Sequence, residues 1–171
     1  MMTLRFAKCA VAVGAIGLAA VLPSNAQAAS TTATAAAVVA TAIGIANTVD
    51  MDFGSITEAG AGTVVLATDG SRTTTGGVSL LAGGPGAAAS FDVTGQANQT
   101  YSITLPGSVT LDSGGNTMTA NTFVSLPTPT GTLNGAGTET LLIGATLIVG
   151  AGQATGSYLS LSAFTMTVNY N

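Results

Sequence analysis

The sequence contains no histidine and no tryptophan, a single cysteine, and only three basic residues. Histidine is the usual carrier of protons near neutrality and the commonest metal ligand. Its absence removes the Ser/His/Asp triad and most acid–base and metal chemistry. Two of the three cations, Arg5 and Lys8, stand in the first eight positions, and beyond them the only cation is Arg72. A nucleic-acid binder needs a basic patch to replace phosphate counterions, and this chain has none. Only 6% of the residues are charged, where an ordinary soluble domain carries roughly 25%.

The chain begins with an export pattern. Met1 to Lys8 form a short basic region, Cys9 to Leu22 an apolar run, and Ala26-Gln27-Ala28 an A-x-A cleavage signal. The run is shorter than the roughly 20 residues a membrane helix needs, so the segment reads as a secretory signal peptide, residues 1–28, cleaved after Ala28. The remainder, Ala29 to Asn171, has no cysteine and no lysine, and sets one arginine against seven acids, a formal charge of −6. Its length suits one domain. An oxidising compartment would find no disulfide to form in it.

Helix signals are poor, and alternation with period two recurs. Ala89, Phe91 and Val93 alternate with Ser90, Asp92 and Thr94; Tyr101, Ile103 and Leu105 alternate with Ser102 and Thr104; Phe164, Met166, Val168 and Tyr170 alternate with Thr165, Thr167 and Asn169. Further strands are expected at Val38–Ala46, Met51–Ile56, Thr63–Ala67, Gly77–Leu81, Thr117–Val124 and Glu139–Val149. Turns are expected at Gly60-Ala61-Gly62, Asp69-Gly70, Gly83–Gly86, Asp112–Asn116 and Asn134–Gly137. About nine short strands at this spacing predict an all-β, antiparallel immunoglobulin-like or pilin-like β-sandwich over residues 47–171.

Two segments admit more than one reading. Thr138–Gly150 is apolar on both faces, which suits a central strand or a strand with one face against another chain. Residues 29–46 carry no charge and place Val39, Ile43 and Ile45 in phase. They form either the domain's own first strand after a tail or a donor strand for a neighbouring subunit. Eighteen extended residues reach about 60 Å, far enough to cross into an adjacent molecule.

No set of side chains is arranged for catalysis, so the chain is expected not to be an enzyme and to need no cofactor or resident metal. Asp50 and Asp52 would share a strand face and could join a calcium site, but they read better as solvated carboxylates. Asp92 and Asp112 are isolated, without the partner a glycosidase pair requires. Gly83-Gly84-Pro85-Gly86 lacks the lysine and spacing of a phosphate loop.

Several stretches resemble the bacterial family catalogued as domain of unknown function 4402: Met51–Ile56, Phe91–Gly95, Tyr101–Pro106, Gly144–Leu147, Gln153–Tyr158 and Phe164–Asn171. The resemblance implies a secreted or surface β-sandwich of unestablished activity. The C-terminus is also similar to chaperone–usher pilins and spore-coat-U-like domains, which end in an alternating strand with a penultimate tyrosine, here Tyr170, and a glycine fourteen positions earlier, here Gly156. The pilin cysteine pair is absent. That similarity implies pairing through Val39, Ile43, Ile45, Gly156, Phe164, Met166, Val168 and Tyr170. The implied partners are copies of the chain itself, with a periplasmic chaperone and an outer-membrane usher as escorts. The expected function is a structural subunit of a surface filament or coat, exported through the periplasm to the cell surface or beyond. The alternatives are a self-contained extracellular binding domain or adhesin, and an outer-membrane barrel, for which seven aromatics after Ala28 are too few.

Overall fold

The computed structural model describes residues 28–171; the expected signal peptide falls almost wholly outside them. Ala28–Ala37 are exposed and belong to no helix or strand. Val38–Asn171 form a compact unit, all-β as the alternation predicts.

Eleven strands build it: β1 (Gly44–Val49), β2 (Ile56–Leu66), β3 (Arg72–Leu80), β4 (Ala89–Thr94), β5 (Thr100–Thr104), β6 (Ser108–Ser113), β7 (Asn116–Leu126), β8 (Thr130–Thr132), β9 (Thr138–Val149), β10 (Leu159–Ser160) and β11 (Thr167–Tyr170). All pairings are antiparallel. Eight strands form a large sheet in the order β1-β4-β9-β7-β6-β10, with β2 joining β9 and carrying β3 outside it. A second sheet has the order β11-β5-β8. Together they make a curled, sandwich-like arrangement.

Strand β9 is the axis of the large sheet. One of its edges pairs with β7 along most of its length. The other pairs with β4 through Thr138–Ile143 and with β2 through Ala145–Val149. Gly144 sits at the handover, where a Cβ would collide with the Leu66 carbonyl. The apolar run therefore reads as a central strand with one buried face: Leu141, Ile143, Ala145, Leu147 and Val149 are buried, whereas Ile148 is 43% exposed.

Two apolar clusters lie beneath this strand. Phe53, Val64, Leu66, Val78, Met118, Ala120, Ala145, Leu147 and Val149 pack under the β2–β3 end. Ala89, Phe91, Val93, Tyr101, Leu133, Leu141, Ile143 and Val168 pack between the two sheets. Phe123 touches both clusters. Its ring lies 5.6 Å from that of Phe164, which meets Phe91 edge-on at 6.2 Å.

Several elements differ from expectation. Val38–Ala46 is not one strand; pairing begins at Gly44. Met51–Ile56 contributes only an isolated bridge from Asp52 to Ala87 before β2 starts. Gly60-Ala61-Gly62 is not a turn. It lies inside β2, where the register with β3 shifts between Glu58 and Gly62. A Cβ on Gly77 would stand 2.5 Å from the Gly60 nitrogen, so here glycine serves close backbone approach within a ladder. β6, β8 and β10 have no counterpart among the expected strands, and only Thr167–Tyr170 of the last alternating run is laddered.

Candidate functional site

The residues with a pairing role implied by sequence fall into four groups. Ile43, Phe164, Met166, Val168 and Tyr170 all pack on the cluster between the two sheets. Ile45 lies on β1 opposite Val93 and is 37% exposed. Val39 is 95% exposed and touches no core. Gly156 lies in the loop between β9 and β10, where its Cβ position faces the Ser113 hydroxyl at the β6–β7 hairpin.

The C-terminal strand is held on one side. β11 pairs with β5 from Thr167↔Thr104 to Tyr170↔Tyr101, and Asn171 N–H donates to the Thr100 carbonyl at 3.2 Å. Among the described residues β11 has no ladder on its other edge. The four residues before it, Ala163–Met166, keep the same in–out alternation of burial without a ladder on either side.

Tyr170 closes this region. Its hydroxyl donates to the Thr41 carbonyl at 2.8 Å and accepts from Gln96 N–H at 2.6 Å. Gln96 returns through its side-chain oxygen to Thr41 N–H at 3.4 Å. A Cβ on Gly95 would collide with the Tyr170 hydroxyl, so the glycine that ends Phe91–Gly95 makes room for this contact. The penultimate tyrosine thus fixes the lead into β1 against the loop after β4.

A second polar link joins the sheets. Glu139 on β9 accepts from Thr132 N–H at 2.8 Å and from the Tyr101 hydroxyl at 3.5 Å. Tyr101 is fully buried, and burial, then the Glu139 carboxylate, pushes its hydroxyl up to about 12. The Tyr101 ring occupies the space a side chain would need at Gly131 on β8.

Three of the aspartates serve turns. The Asp52 carboxylate accepts from Gly54 N–H at 2.7 Å. Asp69 accepts from Ser71 N–H at 2.9 Å, and its bonds to Ser71 hold its carboxyl below the usual range. Asp112 accepts from Gly115 N–H at 3.2 Å in the β6–β7 turn. Arg72 donates to the Phe53 carbonyl at 2.7 Å, beneath Gly54 and Gly86. Among the described residues no group of three or more cysteines, aspartates and glutamates is placed to hold a metal ion. The open polar hollow over Asp92, Thr94, Asn134 and Thr138–Thr140 is small, about 340 Å³.

These features define an antiparallel β-sandwich domain whose last strand keeps an open edge. Residues 43–170 match the family described as a domain of unknown function, DUF4402. The match spans most of the chain and begins one residue before β1, and the protein belongs to that family. No curated protein and no solved structure matches the chain.

Proposed function

We propose that the protein is a secreted structural subunit of a bacterial surface filament or coat, joined to copies of itself by β-strand donation. The observation that carries this reading is β11. Val168 and Tyr170, with Phe164 and Met166 ahead of them, face the core, while among the described residues the strand is laddered only toward β5. A strand laid along the other edge satisfies its free backbone groups and covers apolar side chains in the same step.

The chain carries a segment suited to that place. Residues 29–43 hold no charge and lie outside any strand, and Val38 and Val39 are 96% and 95% exposed. β1 pairs within its own sheet, and Thr41 and Ile43 are held by their own domain, so the donor is the stretch ahead of Thr41. Export rests on the leader pattern of residues 1–28. An open edge on a β-subunit with so few charged residues also calls for an escort during export, a role a periplasmic chaperone and an outer-membrane usher would fill.

The test is deletion of residues 29–40. The shortened chain is expected to fold with an unchanged β spectrum and to remain unpolymerised. The chain from Ala29 onward is expected to give filaments by electron microscopy and a ladder that survives mild detergent. An intact chain that stays strictly monomeric at high concentration sinks the proposal.

A further inference from the structure

The outer face of the large sheet presents an uncharged array of small and β-branched side chains. Strand register aligns Thr75, Thr63, Ile148, Thr119 and Thr110 in one row across β3, β2, β9, β7 and β6. The next row runs Thr73, Val65, Thr146, Asn121 and Ser108. Beyond the irregularity in β7, Val124 and Leu126 continue the face beside Gly144 and Leu142. Val65, Ile148, Val124 and Leu126 are 38%, 43%, 45% and 56% exposed.

We propose that this face is a self-association surface, on which two copies pack sheet against sheet about a two-fold axis. Charge selects the partner. From Ala29 onward the chain is net −6, so copies approach best through a face without carboxylates. The two rows hold none; Asp92 and Asp112 stand to either side, opposite Thr140 and Thr117. A basic partner would find no carboxylate in the rows, and an acidic one no cation. Sugar rings would find no aromatic platform. An identical uncharged face is the complement that remains.

Geometry and area agree with that partner. Two rows of five strands at about 4.8 Å, with β9 and β7 alone continuing to Leu142 and Leu126 at about 3.3 Å per residue, outline a patch of roughly 440 Å². Covering it on both copies removes roughly 900 Å² from solvent, close to the lower bound of about 1,000 Å² for a specific interface. Threonine, valine and isoleucine are stiff at χ1, so little side-chain freedom is lost on docking. The Thr63 and Thr75 hydroxyls already bond each other at 2.8 Å, which lowers the cost of drying them. This contact is separate from strand donation at β11 and does not rest on it.

A thiol placed on the face tests the proposal, because the chain from Ala29 onward contains no cysteine. With Thr146→Cys, a short bifunctional thiol crosslinker is expected to give a covalent dimer whose yield rises with protein concentration. The control is Ala136→Cys, in the exposed loop before β9. Adding Val65→Lys with Ile148→Lys should cut the dimer yield roughly tenfold or more, because the unpaired ammonium groups would have to be dried. Leu126→Glu, on the same face, is a second route to the same loss. Both substituted chains should keep the parent β spectrum. Crosslinking at Thr146→Cys no greater than at Ala136→Cys overturns the proposal, and so does crosslinking that survives the folded lysine and glutamate variants. Chains joined by strand donation alone give the first of these results.

Discussion

The hydroxyl of Tyr170 donates to the carbonyl of Thr41 at 2.8 Å, tying the C-terminal strand to the lead into the first one. The same oxygen accepts from Gln96 N–H, so one atom joins three segments distant in sequence. Phenylalanine keeps the ring and removes both bonds. Tyr170→Phe is expected to destabilise the fold by about 1–3 kcal/mol, because the Gln96 amide and the Thr41 carbonyl both lose a partner. Urea unfolding measures this as a lower midpoint at unchanged slope. Amide exchange at Gln96 should speed up as well. A variant as stable as the parent shows that water replaces the hydroxyl without cost.

The fold should weaken in alkali for a reason that can be assigned. Burial and the Glu139 carboxylate hold the Tyr101 hydroxyl at about 12, above the ordinary value near 10. The folded protein therefore favours the neutral phenol more strongly than the unfolded chain does. That contribution is fully present below about pH 10 and is lost as pH rises toward about 12. Unfolding free energies measured across that window should fall steeply for the parent and less steeply for Tyr101→Phe. Equal slopes for the two proteins contradict the assignment.

The elements legible in the sequence are those whose alternation meets a single core. β4, with Ala89, Phe91 and Val93 inward, and the first half of β5, with Tyr101 inward, follow the period-two pattern directly. The turns at Asp69-Gly70 and Asn134–Gly137 also stand where their residues place them. Glycine misleads where it serves proximity instead of turning: Gly62 lies inside a strand because a Cβ there would collide with the Thr75 carbonyl, and a side chain on Gly77 would run into the Gly60 backbone. β8 is three residues of Thr-Gly-Thr, too short for alternation to register, and its glycine is required by the Tyr101 ring opposite. At the candidate site, the alternation of Phe164 to Tyr170 shows which side chains turn inward, but no pattern in one strand reports that the neighbouring edge is empty. The bonds from Tyr170 to Thr41 and Gln96 are equally invisible, since they depend on how distant segments come together.

Sidedness of β9 gives the sharpest test of the fold itself. Leu141 and Ile143 are fully buried, whereas Ile148 on the same strand faces outward. Each is a large aliphatic residue, so composition alone treats them alike. Leu141→Ala and Ile143→Ala leave cavities between the sheets and are expected to cost about 2–5 kcal/mol each. Ile148→Ala removes exposed surface and should change monomer stability by no more than about 0.5 kcal/mol. Chemical unfolding at low protein concentration separates these outcomes, because any contribution of Ile148 to association is diluted away. If Ile148→Ala proved as costly as Leu141→Ala under those conditions, both faces of β9 would be buried in the monomer. The face left for a second copy would then not exist.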